Sequence, residues 1–401
     1  MRYYTRESKV KTLLQKHKSV LLLGPRGSGK STYILEMLNE LSSETFIINL
    51  LETDSFRKYL QNPHILRQEV EYKLKETKSL TVFIDEIQKV PQLLDEVHLL
   101  IEKHKNRCHF ILTGSSARKL KKEHVNLLAG RALKVSFFPF SFEEIDIQVN
   151  FERILKFGML PEAYIESDDE LVVEYLKTYA GIYLKEEIMQ ETLKRDIQIF
   201  SSFLEVAAFA NGTPVNYLKI ARQIGVSDQT VKSHYQILED TLMIRKIPAW
   251  TFSVRKQLQK AAKYYFFDNG ILNALTGELR VELKKSSYLY GRLFENFIVN
   301  EIIKYNELHG FDYHIYHYRT NHGSEIDIVL QRNFNSVPVA IEIKSAEMPS
   351  YSNVKHLNGF LLEHKNAKAC VLCRATEPYE ENGIFFYPFE YGLKKVFELC
   401  G

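Results

Sequence analysis

The chain has 401 residues, of which 45% are hydrophobic and 26% charged, and its 53 basic residues nearly balance 50 acidic ones. A chain of this length exceeds one ordinary core and predicts two or three domains. The balanced charge gives no general attraction to nucleic acid, although a local basic patch would. No apolar run is long enough to cross a bilayer, and four cysteines do not make a disulfide scaffold. We therefore expect a globular, cytoplasmic protein with no membrane partner.

A phosphate-binding loop stands near the N-terminus. Residues 24–31 read GPRGSGKS and fit G-x-x-x-x-G-K-[ST] at every fixed position, directly after an apolar run. Glycines let backbone N–H groups turn inward around an anion, Lys30 reaches the β- and γ-phosphates, and the Ser31 hydroxyl ligates Mg²⁺. The helix expected next points its positive end at the phosphates. The predicted cofactors are ATP and Mg²⁺, and the predicted binding residues are Gly24, Pro25, Arg26, Gly27, Ser28, Gly29, Lys30, Ser31 and Thr32.

A second nucleotide signature follows about fifty residues later. Residues 80–86 read LTVFIDE, an apolar strand that ends in two carboxylates. At the end of a central strand, Asp85 would hold the Mg²⁺ shell beside Ser31. Glu86 would polarise the water that attacks ATP. The alternative is that both acids only begin the next helix, where negative charge favours the helix dipole.

Two more positions fit ATP hydrolysis. The strand that begins at His109 ends in Thr113-Gly114-Ser115-Ser116, where a side chain such as Ser115 orients the attacking water or, alternatively, caps the next helix. Arg131 precedes a strand expected at the edge of the sheet. An arginine there acts as a finger on a neighbouring subunit's ATP, or it is an ordinary surface residue. The first interpretation predicts a homo-oligomer.

The region after the predicted ATPase core has a different sequence pattern. Residues 142–200 read as charged helices without recognisable chemistry, with apolar positions at Ile182, Ile188, Met189 and Leu193.

A helix-turn-helix is predicted within residues 203–250. Apolar positions before and after Gly225-Val226-Ser227 indicate a helix, a tight turn, a serine cap and a second helix, in an arrangement typical of winged helices. The exposed side of the second helix could contact DNA, although winged helices also serve as protein-packing modules. The residues expected there are Gln229, Thr230, Lys232 and His234.

Charged residues interrupt two apolar strands in the last third of the chain. Side chains of a strand alternate between faces, so Glu325 and Asp327 share one face, as do Glu342 and Lys344. If the two strands are neighbours, three carboxylates and a lysine converge, and Glu295 of the preceding long helix adds another acid. Such carboxylates bind Mg²⁺, and Lys344 could position the nucleophilic water for phosphodiester cleavage. The alternatives are a decayed nuclease surface that only binds nucleic acid and a charge network that only stabilises the sheet.

Several motifs together resemble a known family. LLLGPRGSGKST, FIDEIQ, LTGSSARKL, LAGR and FFPFSFEEI, followed by GMLPEAY and YYFFDNGILNAL, resemble the AAA-type prokaryotic ATPases that carry an uncharacterised C-terminal nuclease-like domain. The resemblance implies a five-stranded parallel P-loop sheet with helices on both faces and a helical lid. It also implies residues 113–115 as the sensor and Arg131 as the finger that acts in trans.

The last third is similar to the PD-(D/E)xK nuclease core. The similarity implies Glu295 as the helix acid, Asp327 as the motif acid and Glu342-x-Lys344 as the final pair, with EID in place of PD.

Cys370 and Cys373 form a C-x-x-C, but the apolar residues between them favour a buried strand over a zinc or redox site. The predicted metal ligands of the whole chain are Ser31, Asp85, Asp327 and Glu342.

These observations predict an α/β protein with four parts. They are an ATPase core at 1–140, a helical lid and connector at 141–200, a winged-helix region at 201–285 and a restriction-endonuclease-like domain at 286–401. The predicted function is ATP hydrolysis that controls a domain acting on DNA. The alternative is an ATP-driven switch without nuclease activity, in which the C-terminal domain only binds DNA or a protein partner.

Overall fold

The computed structural model describes residues 5–41, 44–116, 130–146, 150–183, 197–251, 253, 257, 260–320 and 323–399. Ile188, Met189 and Leu193, the side chain of Ile182 and the first two residues of the LAGR motif lie outside this part of the chain. Internal contacts divide the chain into two units. The first takes in the chain up to Phe140 with the short segment Asp240–Leu242, and the second takes in Ser141–Glu239 and Met243–Gly401.

The first unit is built on the strands β1 (Ser19–Leu23), β2 (Glu44–Asn49), β3 (Leu80–Asp85), β4 (Cys108–Gly114) and β5 (Ala132–Ser136). All are parallel, in the spatial order β2-β3-β4-β1-β5. The strands β1, β3 and β4 are buried along their whole length, as expected for parallel strands covered on both faces.

Helices cover both faces of this sheet because alternate residues of β1 point in opposite directions. Val20 packs with Ile34 on one face, whereas Leu21 packs with Val97 on the other. This arrangement confirms the predicted five-stranded P-loop sheet with helices on both sides. The helices are α1 (Val10–Gln15), α2 (Lys30–Asn39), α3 (Thr53–Gln61), α4 (Ile65–Glu76) and α5 (Leu93–His104).

The second unit begins with a group of helices that share one hydrophobic core, from Phe157 to Leu293, with a two-stranded antiparallel sheet. The region predicted as a lid and the predicted helix-turn-helix therefore pack into the same core; the lid role itself stays a prediction. The elements are α6 (Phe151–Phe157), α7 (Pro161–Ile165), α8 (Asp169–Thr178), α9 (Ile197–Phe209), α10 (Tyr217–Ile224), α11 (Asp228–Asp240), β6 (Ile244–Ile247), β7 (Lys263–Phe266) and α12 (Asn269–Thr276).

The helices α10 and α11 are joined by a tight turn. Gly225 ends α10 with a left-handed φ of 73°, which a glycine adopts without strain. The Ser227 hydroxyl accepts a 3.0 Å hydrogen bond from the Thr230 amide and so caps α11. Gln229 and Lys232 are exposed, as predicted, and Thr230 is half-exposed.

The prediction that His234 is exposed was wrong. Its side chain is only 4% exposed, and its ring lies 4.8 Å from the ring of Phe200 and 5.0 Å from that of Phe203. The helix α9, which comes before α10 in the chain, supplies both phenylalanines and covers this side of α11. His234 is therefore part of the core and cannot contact DNA from this position.

Two motifs of the sequence meet in space around Asp268. Asp268 caps α12 by accepting hydrogen bonds from the amides of Gly270 and Ile271, at 2.8 and 3.2 Å. Its other oxygen accepts a 2.7 Å hydrogen bond from the Met159 amide. A side chain at Gly158 would overlap the Asp268 carboxylate. GMLPEAY and FFDNG thus form a buried joint within the helical core.

A six-stranded mixed sheet follows, in the order β12-β13-β11-β10-β9-β8. The long helix α13 lies against it with α15, and α14 covers part of the other face. The short strand β12 was not predicted. The elements are α13 (Tyr288–His309), β8 (His314–Arg319), β9 (Glu325–Gln331), β10 (Val339–Ile343), α14 (His356–Glu363), β11 (Lys368–Cys373), β12 (Tyr379–Glu381), β13 (Ile384–Pro388) and α15 (Phe389–Leu399).

Cys370 and Cys373 both lie in β11, are buried and form no disulfide. The prediction of a buried strand at the C-x-x-C is confirmed. Among the helices in the described ranges, none combines the length and apolar character that crossing a bilayer requires.

Candidate functional site

The loop between β1 and α2 has the backbone that its sequence predicts. Gly27 and Gly29 adopt left-handed φ angles of 75° and 88°, and a Cβ at Gly24 would overlap the Phe137 carbonyl. Among the described residues, no side chain caps the N-terminus of α2. The helix therefore begins at a glycine-rich turn with its positive end toward the loop, which is the arrangement that binds phosphate.

Lys30 lies inside this loop. Its side chain is 4% exposed, and its ammonium donates hydrogen bonds to the carbonyls of Gly24 at 2.9 Å and Pro25 at 3.0 Å. The ammonium thus stands within the loop where the β- and γ-phosphates of a nucleotide bind. The Ser28 hydroxyl closes the same turn on the Pro25 carbonyl, whereas Arg26 is half-exposed and Thr32 exposed at the mouth of the loop.

Arg6 supports the loop from outside and was not among the predicted site residues. Its guanidinium donates to the carbonyls of Ser28 at 2.9 Å and Phe138 at 2.7 Å. It also stacks on the rings of Phe137 and Phe140, with centroid distances of 4.4 and 4.8 Å. An arginine in the basic N-terminal segment before β1 gives no sequence signal for this role.

The ends of three elements meet at Asp85. The Ser31 hydroxyl donates a 2.8 Å hydrogen bond to one Asp85 oxygen, and the Thr113 hydroxyl donates to the other. Asp85 is 5% exposed at the end of β3. A serine hydroxyl beside a buried carboxylate is a donor set that suits Mg²⁺, whose preferred ligands are oxygens.

Glu86 stands beside this group in a strained conformation. Its φ of 59° is rare for a residue with a side chain, and its amide donates a 3.0 Å hydrogen bond to the Thr113 hydroxyl. The Ser115 hydroxyl lies 3.3 Å from a Glu86 carboxylate oxygen. The structure therefore brings Asp85, Glu86 and Ser115 together at the carboxyl edge of the sheet.

Gln88 completes this network and was not predicted. Its amide donates to the Glu86 carboxylate and, at 3.0 Å, to the Ser115 hydroxyl. Gln88 is 8% exposed, and a Cβ at Gly114 would approach its amide oxygen to 2.9 Å. The only sequence signal was the glutamine of the FIDEIQ motif, to which the strand pattern gave no role.

Arg131 lies away from the loop of its own chain. β5 runs parallel to β1 with Ala132 opposite Ser19, so Arg131 stands at the amino edge of the sheet, whereas the loop follows the carboxyl end of β1. Its Nε donates a 2.6 Å hydrogen bond to Glu102. Arg131 is not brought to the nucleotide site of its own chain.

In the second unit, β9 and β10 are antiparallel neighbours, as the convergence of their acids required. One oxygen of Asp327 accepts a 2.9 Å hydrogen bond from the Ile343 amide. Glu342 is 4% exposed and receives the Lys344 ammonium at 2.6 Å. Asp327, Glu342 and Lys344 therefore lie together at the junction of the two strands. We call these three residues, with Glu295 and Glu325, the acidic cluster.

Lys263 joins the acidic cluster from β7 and was not predicted. Its ammonium lies 2.6 Å from Glu325 and 3.8 Å from both Glu295 and Asp327. The Tyr265 hydroxyl, on the same face of β7, donates a 2.7 Å hydrogen bond to Glu295. A lysine before an apolar run looks like the solvent end of a strand, so the sequence alone gave no signal.

His356 is the other residue that sequence reasoning missed. Its Nε2 lies 3.2 Å from the second oxygen of Glu342, across from Lys344. Burial by itself would raise the pKa of Glu342, but the close contact with His356 and the charge of Lys344 lower it overall. Burial raises the pKa of Asp327 well above its usual range, and the nearby charge of Glu342 adds to this effect.

Burial by itself would lower the pKa of Lys263, but the charges of Glu295, Asp327 and Glu325 outweigh it and raise the pKa. Lys263 therefore carries its positive charge inside the cluster. Within the described ranges, no three acids or histidines of the cluster hold ligand atoms within 4.8 Å of one another. As folded, the acidic cluster is balanced by cations of the chain itself, namely Lys263 and Lys344; the role of Asp327 and Glu342 as metal ligands stays a prediction.

Three family models match successive parts of the chain. Residues 16–146 match a model described as an AAA domain. Residues 148–282 and 290–391 match two models that are each described as a domain of unknown function. The first match covers the whole sheet of the first unit with its P-loop.

Similar proteins span most of the chain. Uncharacterized protein Rv2008c of Mycobacterium tuberculosis is 23% identical over 349 residues, which cover 86% of this chain and 74% of that protein. An uncharacterized protein of Haemophilus influenzae is 24% identical over 305 residues, covering 71% of this chain and 74% of that one. The solved structure of Drosophila ORC bound to AT-rich DNA and Cdc6 matches at 11% identity with a TM-score of 0.25, covering 67% of this chain and 89% of that chain.

The TM-score of the ORC match is too low to support a functional argument. The AAA match and the P-loop geometry are independent of it and agree with each other. The first third of this chain is an AAA-type P-loop ATPase domain.

Proposed function

We propose that this protein is a Mg²⁺-dependent ATPase whose nucleotide cycle controls a C-terminal nuclease-like module that acts on DNA. The single observation that carries the ATPase part is the hydrogen-bonded group of Ser31, Asp85 and Thr113 beside Glu86. It joins the P-loop helix to the ends of two strands. Phosphoryl transfer depends mainly on positioning and electrostatics, and this group supplies both.

The residues of the loop fit MgATP. Lys30 and the first amides of α2 would bind the phosphates, and Ser31 with Asp85 would hold Mg²⁺. Bound there, the metal neutralises charge on the phosphate oxygens.

Glu86 is the residue best placed to take a proton from the attacking water. Gln88 and Ser115 both contact its carboxylate, so its orientation is set by two neighbours. A fixed carboxylate that does not need to reorganise is an effective base, and such catalysis contributes about 10²–10⁴-fold. Glu86 would therefore separate ATP hydrolysis from ATP binding.

Arg131 would act on the nucleotide of a neighbouring subunit. Its place at the amino edge of the sheet keeps it from its own P-loop, and its ion pair with Glu102 is partly exposed on both sides. Exposed ion pairs contribute little stability and are easily exchanged. An arginine in this position supports a homo-oligomer with shared ATP sites.

The helix pair α10–α11 and the sheet β6–β7 support a winged helix-turn-helix, and Gln229 and Thr230 stand on the accessible side of α11. Lys232 is also exposed there, 2.9 Å from Asp228. Such a surface could position the protein on DNA phosphates.

Glu295, Asp327, Glu342 and Lys344 come from the three elements that a PD-(D/E)xK core would use, which supports a nuclease-like module. Because Lys263 and Lys344 already pair with these carboxylates, this conformation favours DNA binding without cleavage. An ATP-driven switch without nuclease activity is therefore the second candidate function.

Both candidates can be tested with purified protein. We expect ATP to change the affinity for labelled duplex or branched DNA, measured by fluorescence anisotropy, and Lys30→Ala to abolish the change. Cleavage of duplex, single-stranded and branched DNA is then assayed with Mg²⁺ and Mn²⁺, with Asp327→Asn as the control. Cleavage that requires Asp327 supports the nuclease; ATP-dependent binding without cleavage supports the switch. DNA binding that is unaffected by ATP and by Lys30→Ala would contradict ATP control of DNA binding in either candidate.

A further inference from the structure

The strand β7 carries one charged side chain into a buried position. Lys263 is 1% exposed, yet it lies within 4 Å of three carboxylates, which are those of Glu295, Glu325 and Asp327. A lysine is rarely buried to this degree unless it is paired, because removing its charge from water costs several kcal/mol. The three acids provide the pairing, and Lys263 is their shared counter-ion.

Alternation along β7 explains how the lysine reaches the acids. Lys263 and Tyr265 point to the acidic cluster and both approach Glu295, whereas Tyr264 and Phe266 point into the helical core. The backbone of β7 is held by its neighbours as well. The Tyr264 carbonyl accepts a 2.9 Å hydrogen bond from the Gly212 amide.

The segments next to β7 attach it to the edge of the sheet that carries the acids. The Trp250 amide donates to the His317 carbonyl at 2.6 Å, and the His317 amide donates to the Pro248 carbonyl at 3.0 Å. The His317 ring adds a 3.0 Å contact to the Ala261 carbonyl. Lys263 therefore enters the cluster from a strand that is fixed on both sides.

We propose that Lys263 is the resident cation of the acidic cluster and that, while β7 keeps its place, it excludes a divalent metal ion from Asp327 and its neighbours. The site would accept Mg²⁺ or Mn²⁺ only when the lysine leaves. This inference deepens the proposed nuclease-like function and rests on it only for its consequence, that β7 controls whether the cluster can cut DNA.

Charge and space both support this exclusion. A divalent ion needs several oxygens at about 2.0–2.6 Å, and a buried ammonium between the same carboxylates repels it strongly at that range. Other cations of the chain also neutralise carboxylates of the cluster, since Arg319 lies 3.9 Å from Glu325 and Lys344 pairs with Glu342. The strand β7 comes after the helix pair α10–α11 and β6 in the order of elements. A ligand that binds to these elements could therefore displace Lys263.

Mn²⁺ binding to the full-length protein without nucleotide tests the proposal. Free Mn²⁺ is followed by electron paramagnetic resonance for the wild type, Lys263→Met, Lys263→Met with Asp327→Asn, and the control Lys260→Met. Lys260 is exposed, three residues before Lys263. We expect Lys263→Met alone to gain one Mn²⁺ per chain that binds at least about tenfold more tightly than any site of the wild type, because a buried like charge is gone.

The second substitution, Asp327→Asn, should remove the new site. The single variant Asp327→Asn is measured alongside, and a wild-type Mn²⁺ site that it loses would overturn the proposal. A folded Lys263→Met variant that gains no site would overturn it as well. Should Lys263→Met fail to fold, Lys263→Met combined with Glu325→Gln removes one charge of each sign and is judged by the same outcomes. Neither ATP turnover nor DNA binding enters this measurement, so its failure is distinct from failure of the proposed function.

Discussion

The Ser31 hydroxyl donates a 2.8 Å hydrogen bond to Asp85, although β4 lies between the strands that carry their elements. Thr113 at the end of β4 donates to the same carboxylate and completes the connection. The P-loop helix and the second nucleotide signature are therefore linked by hydrogen bonds of the chain itself. This link allows the ATP site to be tested residue by residue.

Gln88 should matter for ATP hydrolysis but not for ATP binding. Gln88→Leu keeps the size of the side chain but removes the amide that donates to Glu86 and Ser115. A hydrogen bond to a charged group contributes about 1.5–3 kcal/mol, so we expect kcat to fall about 10- to 100-fold. The measurement is steady-state ATP turnover together with calorimetric ATP binding.

Gln92→Leu is the matched control, because Gln92 is exposed at the start of α5. An equal loss of turnover in both variants, or weaker ATP binding in Gln88→Leu, would show that Gln88 does not act by orienting Glu86.

Arg131 and Lys30 should complement each other between subunits. Arg131→Ala removes the finger and Lys30→Ala removes the phosphate-binding lysine, so each variant alone should be nearly inactive. In a mixture, a subunit with an intact P-loop can meet a neighbour with an intact Arg131. We expect ATP turnover to reappear on mixing, at least about tenfold above either variant alone.

Glu102→Gln is the control for the Arg131 experiment, since it breaks the same ion pair but leaves the arginine. It should keep near-normal turnover. Mixtures that stay inactive, although they assemble, would exclude a finger that acts in trans.

The buried ring of His317 predicts a loss of stability in mild acid. Burial lowers its pKa from 6.5 to about 4. The unfolded chain therefore takes up a proton as the pH falls below 6.5 while the folded chain does not, so stability is lost between pH 6.5 and about 4. The loss reaches about 3 kcal/mol and should be absent from His317→Gln.

Urea unfolding at several pH values measures this effect. His64→Gln serves as control because His64 is exposed, and it should keep the pH dependence of the wild type. If His317→Gln loses stability in acid as steeply as the wild type, His317 does not account for it.

Asp268 should be important for folding rather than for chemistry. The Asp268 carboxylate accepts hydrogen bonds from three backbone amides, and Asp268→Asn places a side-chain N–H donor against one of them. The free energy of unfolding should fall by about 2–4 kcal/mol. Asp312→Asn is the control, because Asp312 is exposed at a φ of 59°, where asparagine is well tolerated. A loss below that of the control would mean that the joint does not need this carboxylate.

The sheet of the first unit could be predicted because its strands are continuous apolar runs, and such runs are typical of parallel strands buried on both faces. The carboxyl ends of such strands meet at one edge, so the positions of Asp85 and Glu86 followed. β12 was missed because Tyr379–Glu381 is too short and too polar to give a pattern. The three boundaries between the four predicted parts stay predictions.

Two residues that contact the acidic cluster could not be predicted because only tertiary contacts bring them there. Lys263 and His356 reach the acidic cluster through strand and helix packing that links distant parts of the chain. His234 was different, since it stands three residues after Val231 and one before Tyr235, on the apolar side of α11. Helical spacing could have predicted that position as buried.

Glu86→Gln provides the most direct test of the ATPase at the centre of this proposal. The substitution keeps the size of the side chain but removes the base, so ATP binding should stay close to that of the wild type. Single-turnover hydrolysis of radiolabelled ATP should slow by about 10²–10⁴-fold. Glu76→Gln, an exposed position on α4, should hydrolyse ATP at the wild-type rate. If Glu86→Gln also cleaves ATP at the wild-type rate, the assignment of the catalytic carboxylate is wrong.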